Sequence, residues 1–175
     1  MEITRKASSD FTRIFDILSY QQEKYPNATA LNAFVEGKWK GYSIAEIQIK
    51  ADAISCWLIA SGYKKDDKII FVPIIGNPEC VILDFACQQI GVVTIPVHPT
   101  STQGDIELIF TETEPKCCIT ADRELYNKFQ GAVQKTDGRV SVDYLESYFQ
   151  KAQTHGPGED LLTQLKEIKS SISSS

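Results

Sequence analysis

His98 is the residue best placed by type to do chemistry. It stands in Ile95-Pro96-Val97-His98-Pro99-Thr100-Ser101-Thr102, just past a β-type run, beside three hydroxyls and ahead of a helical pattern. An imidazole at such a position can bind a ligand or move a proton. The partners of nucleophilic catalysis do not accompany it. No Cys or Asp falls beside it in an interpretable order, and Ser101 lacks the Gly-x-Ser-x-Gly elbow that exposes a serine nucleophile. The second histidine, in His155-Gly156-Pro157-Gly158, has a loop composition and reads as solvated. Two histidines so far apart, without any Cys-x-x-Cys, argue against a zinc site. The five cysteines are Cys56, Cys80, Cys87 and the adjacent pair Cys117-Cys118. Three of them fall inside apolar helical or strand patterns, which reads as reduced thiols packed in a core. Glu112 and Glu114 flank a helix end and read as solvated. Gly76-Asn77-Pro78-Glu79 is neither Gly-x-Gly-x-x-Gly nor a Walker loop, so it is a tight turn leading into a capped helix. The residues alone assemble no catalytic set and no metal site.

The elements that must position these residues follow from periodicity. Asp10 is placed to cap a first helix, with Phe11, Ile14, Phe15 and Leu18 on one face and Pro26 stopping it. Two short β-type runs, 30–35 and 38–40, surround Glu36-Gly37 and predict a hairpin. Ser43-Ile44-Ala45-Glu46 is a capping box, in which the Ser43 hydroxyl and the Glu46 carboxylate each take the other's amide. The helix it opens carries Ile47, Ala51, Ile54, Trp57 and Leu58 on one face and closes at Gly62.

From residue 68 the pattern alternates. An apolar strand spans 68–75; Asn77 caps and Pro78 begins a helix with Val81, Ile82, Phe85, Ala86 and Ile90 inward. A second strand spans 92–95. Thr102 caps a helix with Ile106, Ile109 and Phe110, ended by Pro115, and 117–119 form another strand before a short helix around 124–129. Trp39 and Trp57 read as core. Beyond Gly131, Asp143-x-x-Glu146 is placed to cap a helix with Tyr144, Leu145, Tyr148, Phe149 and Ala152, and 159–169 carries Leu161, Leu162, Leu165 and Ile168 at helical spacing. Strands alternating with helices mean βαβ units: an α/β fold, with a mostly parallel sheet flanked by helices on both faces. In such sheets ligands bind beyond the carboxyl ends of the strands, which is where His98 falls.

Composition narrows the classes. A chain of 175 residues is one domain or a piece of one. Its 42% apolar and 23% charged residues exclude a mainly disordered chain. A net charge of −5 without a basic stripe argues against nucleic-acid binding. No run approaches 18 apolar residues, so no transmembrane segment is expected. The first ten residues hold no apolar signal region, which together with the reduced thiols places the chain in the cytoplasm. Asn27-Ala28-Thr29 matches a glycosylation sequon only by chance in that compartment.

One resemblance adds to this reading. It is carried by Trp39 and Tyr42 leading into Ser43-Ile44-Ala45-Glu46-Ile47, by Gly76-Asn77-Pro78-Glu79, by the run from Ala86 to Thr100 and by Cys118-Ile119-Thr120-Ala121-Asp122. This order resembles the N-terminal part of an adenylate-forming enzyme of the long-chain acyl-CoA synthetase (fatty-acid–CoA ligase) branch. It runs with good continuity from Phe11 to Asp122. Pro96-Val97-His98-Pro99-Thr100 is closer to the Pro-x-x-Pro-Thr of acyl-CoA ligases than to the Pro-x-Asp-Pro of amino-acid-activating domains, although His98 stands where Tyr is common.

The resemblance implies a two-step reaction using ATP, Mg and CoA. A Thr-Ser-Gly-Thr-Thr-Gly-type phosphate loop would follow a segment like 168–175. By this resemblance the chain is therefore a structural, inactive first subdomain, with no catalytic or metal residue and no cofactor bound by itself. Its parts would be a flexible 1–9, a subdomain 10–169, and a serine linker end 170–175. CoA nucleotide contacts would fall on His98, Pro99, Thr100 and Ser101, and on Tyr126 and Lys128, which stand where some relatives use arginines. The partner would be the remainder of the polypeptide, with self-association through the face left exposed. The alternative is a flavodoxin-like binding or protein-interaction module acting alone.

Overall fold

The computed structural model describes residues 12–26, 28–35, 37–74, 76–134 and 139–172. Asp10, Phe11 and the expected flexible segment 1–9 lie outside the described residues. The first helix, α1 (Asp16–Lys24), starts later than its apolar spacing predicts. Phe15 is its N-cap; Phe15 and Leu18 are buried, whereas Ile14 precedes the helix and is exposed. The hairpin follows as β1 (Thr29–Val35) and β2 (Lys38–Ser43), antiparallel, with Gly37 at φ +78 making the turn. Positive φ suits a residue without Cβ, as a two-residue hairpin turn requires.

Ser43 then opens α2 (Ile44–Ala60) through the expected capping box: its hydroxyl accepts from the Glu46 amide while Glu46 accepts from the Ser43 amide at 2.8 Å. The remaining elements are β3 (Lys68–Val72), α3 (Pro78–Gln89), β4 (Val93–Pro96), α4 (Gln103–Thr113), β5 (Cys117–Thr120), α5 (Arg123–Val133), β6 (Ser141–Tyr144), α6 (Leu145–His155) and α7 (Glu159–Ser171). β3 stops at Val72 rather than running to 75, because Pro73 has no N–H to continue a ladder. His155 closes α6 instead of sitting in the following loop. α7 runs past the expected boundary at 169, with Ser170 and Ser171 turning their hydroxyls back onto the Lys166 and Ile168 carbonyls.

Four strands form a parallel sheet in the order β4-β3-β5-β6. The two-residue period of a strand sorts its side chains into two cores. Ile69, Phe71, Cys117 and Ile119 face α2, α3, α6 and α7. Ile70, Val72 and Cys118 face α4 and α5, meeting Ile106, Phe110 and Phe129. Helices on both faces explain why the central strands β3 and β5 are buried along nearly their whole length. Ser55 ties α2 to α3 inside the first core: its hydroxyl lies 2.9 Å from the Ala86 carbonyl and 2.7 Å from Gln89 Oε1.

Three further expectations need correction. Trp39 is 73% exposed, not core, because it points from the outer face of the hairpin, where it meets Phe34 edge-on at 5.3 Å. Leu83, not Val81, joins the buried face of α3. Asp143 does not cap α6; it belongs to β6, and its carboxylate accepts from Tyr144 N and Lys151 Nζ. β6 escaped the sequence because it is a four-residue edge strand, Ser-Val-Asp-Tyr, with little apolar signal.

Candidate functional site at the carboxyl ends of the parallel strands

β3 and β4 end side by side, Phe71 opposite Pro96. Their loops then leave the sheet toward opposite faces, since α3 packs in one core and α4 in the other. Such a divergence opens a crevice at the carboxyl edge of an α/β sheet. Here it is a cleft of about 670 Å³ lined by Pro73, Ile74, Pro96, Val97, His98 and Pro99.

The His98 loop is built from its own hydrogen bonds. Val97 is buried and its amide continues the sheet by donating to the Phe71 carbonyl at 2.8 Å. The Thr100 amide donates to His98 Nδ1 at 3.2 Å, the Thr100 hydroxyl lies 2.8 Å from the same nitrogen, and the Ser101 amide donates to the His98 carbonyl at 3.0 Å. A backbone N–H has only a proton to offer, so Nδ1 holds the lone pair and the ring proton sits on Nε2. His98 therefore carries one N–H donor in a set orientation. Thr102 then starts α4 with a capping box, its hydroxyl accepting from the Asp105 amide at 3.2 Å. The hydrogen bond from the Thr102 hydroxyl, followed by that from its amide, holds the Asp105 carboxyl below the usual range.

Lys128 reaches this loop from α5 and donates from Nζ to the Pro99 carbonyl. α5 is itself started by Asp122, which accepts from the Leu125 amide at 2.9 Å. The structure thus joins His98, Pro99, Thr100 and Ser101 with Lys128 on one edge. Tyr126 is engaged differently, edge-on to Tyr144 at 6.1 Å and accepting from Gln130 Nε2. Sequence reasoning missed Pro73 and Ile74 as cleft residues, although they end an apolar strand, and set Tyr144 in the helix after Asp143, whereas it ends β6. Glu112 and Glu114 are exposed at the far end of α4, as expected. Cys117 and Cys118 are buried, and burial pushes both thiols up. Cys117 Sγ lies 3.3 Å from Tyr148 Oη, both inside the first core. Among the described residues no three His, Cys, Asp or Glu side chains gather as a metal site.

The comparisons with known proteins fall on this same framework. The model of the AMP-binding enzyme family matches residues 18–169. The long-chain-fatty-acid–CoA ligase FadD15 of Mycobacterium bovis is 26% identical over 147 residues, which is 84% of this chain and 23% of that protein. The medium-chain fatty-acid–CoA ligase of Escherichia coli is 24% identical over 84 residues, 48% of this chain and 15% of its own. Among solved structures, VinN superposes with a TM-score of 0.68 at 18% identity, covering 87% of this chain and 37% of VinN. The N-terminal subdomain of Klebsiella oxytoca NpsA, bound to 3-hydroxyanthranilyl-AMSN, gives 0.64 at 18% identity over 85% of this chain and 33% of its own. Identities this low speak for the fold alone. The chain spans about a quarter of the length of the FadD15 ligase it matches, at 23%. With a family match that runs from within α1 to the last turns of α7, across every strand that builds the cleft, the chain belongs to the AMP-binding enzyme family.

Proposed function

We propose that this chain is the N-terminal part of an ATP-dependent acyl-CoA ligase acting on a fatty acid in the cytoplasm. The observation that carries this reading is the family match over 18–169, joined to relatives that are fatty-acid–CoA ligases. In the reaction, a carboxylate oxygen attacks the α-phosphorus of ATP and pyrophosphate leaves, giving an acyl-adenylate. The CoA thiol then attacks the acyl carbon, and AMP leaves with the electrons of the broken anhydride bond. The residues described here offer no metal-binding cluster, so no step is assigned to them through magnesium. The reading gives the adenylating groups to further parts of the polypeptide and gives this chain a structural role with one ligand edge. On that edge His98, Pro99, Thr100, Ser101 and Lys128, with Tyr126 on the same helix as Lys128, contact the CoA nucleotide. The geometry in favour is a preformed loop, a fixed Nε2–H donor and an ammonium beside it whose remaining N–H bonds suit a phosphate. Five unpaired thiols support a reducing compartment.

Two measurements on the 175-residue chain test the reading. ATP–pyrophosphate exchange with palmitate is expected to be nil; exchange by a pure sample overturns the placement of the chemistry elsewhere. Titration with CoA, followed by amide NMR, is expected to shift 98–101 and 126–128. Lys128→Ala should weaken binding about threefold to tenfold, the range of one charge-assisted hydrogen bond partly exposed to water. Shifts confined to another face, or none at millimolar CoA, overturn the contact assignment.

A further inference from the structure

Arg13 lies outside the residues that the family model matches, yet it joins the two ends of the described chain. Its Nη1 donates to the carbonyls of Lys169 and Ile172, at the C-terminal end of α7. Its Nε and Nη2 donate to the two carboxylate oxygens of Asp16, both at 2.8 Å, and Asp16 is the first residue of α1. One guanidinium therefore connects the carboxylate at the positive end of one helix dipole with the carbonyls at the negative end of another. Its planar fork suits both at once. The ring of buried Phe15 lies 4.6 Å beneath the guanidinium, and Lys169, on α7, pairs with Asp52 of α2 at 3.6 Å.

The other end of α7 is built in the opposite way. It follows Gly156-Pro157-Gly158, with Gly156 at φ +49, and its N-cap Gly158 supplies no side-chain hydrogen bond. Between these ends, Leu165 is fully inserted while Leu161, Leu162 and Ile168 are only partly covered. We propose that Arg13 is a latch: α7 is hinged at 156–158 and held docked at 169–172 by the Arg13 fork. When the fork opens, α7 swings from α2 as a unit and uncovers the groove that receives Leu165, while the sheet stays intact. The latch stands independently of any assignment of ligand or reaction.

Amide hydrogen exchange on the 175-residue chain tests this, with β3 and β5 amides as the internal reference. Arg13→Ala is expected to speed exchange over 161–172 about tenfold or more, the scale of losing charged hydrogen bonds, with 69–72 and 117–120 unchanged. Arg13→Lys, which keeps the charge but not the fork, should fall between the two. Unchanged exchange in α7, or equal acceleration in α7 and the central strands, overturns the latch. So does an Arg13→Lys chain that exchanges as slowly as wild type, because charge alone would then suffice. Failure of both variants to fold also overturns it, since a latch on one helix cannot decide whether the sheet forms.

Discussion

At the scale of single residues, the charged groups that matter are those whose partners are fixed. Asp16 shows this with a definite sign. Hydrogen bonding from Arg13, partly offset by burial, holds its carboxyl below the ordinary value. A depressed folded pKa means the contribution is fully present above the unfolded value of about 3.9 and is lost as pH falls below it through the lower folded value. The melting temperature of Asp16→Asn should therefore lie below wild type by a constant gap at pH 6 to 8. That gap should close as pH drops through roughly 4 and below. A gap that persists in acid would mean that Asn fails for its shape rather than its charge. His98 makes the complementary point. Its ring orientation and its proton position are set by the Thr100 amide, so its capacity as a donor is decided by backbone two residues away.

At the scale of elements, capping residues and glycines set where helices begin and end. Ser43, Asn77, Thr102 and Asp122 each accept a backbone amide at a helix start. Gly91, between α3 and β4, has φ +71, and a Cβ there would lie 2.9 Å from Lys65 Cγ and 3.4 Å from Lys65 Cα. Gly131, inside α5, has open space at the same position. Opposite outcomes follow from one kind of substitution. Gly91→Ala should cost about 1–2 kcal/mol for the left-handed backbone alone, lowering the melting temperature by roughly 2–8 °C. Gly131→Ala should gain about 0.5–1 kcal/mol, because alanine loses less backbone entropy in a helix. Thermal unfolding of the two variants side by side decides it; equal shifts of the same sign would refute the backbone argument.

At the scale of the whole molecule, several large apolar side chains stand uncovered on the outer surface. Phe34 and Trp39 stand out from the hairpin at 63% and 73% exposure, and Val93 and Leu108 are also open. Neighbouring apolar groups without cover drive association. Sedimentation velocity should show concentration-dependent self-association at neutral pH, and the double variant Phe34→Ser with Trp39→Ser should shift the chain toward monomer. A single monomer boundary for wild type at high concentration would count against the idea.

Periodicity in the sequence was enough to determine the α/β class, the hairpin, the Ser43, Asn77 and Thr102 caps and the strand-end position of His98. Each of these is a local property, written in spacing over a few residues. The placement of Trp39 outside, of Asp143 in a strand and of Lys128 against Pro99 depended on the tertiary structure. So did the strand order, the cleft beside His98 and the Arg13 contact with α7. These depend on which distant segments meet: Arg13 and Lys169 are 156 positions apart, and no pattern within a helix or strand records such a pair. A sequence encodes the period of each element strongly, because burial repeats along it. It encodes the neighbours of a half-buried arginine or an edge strand only through the completed packing.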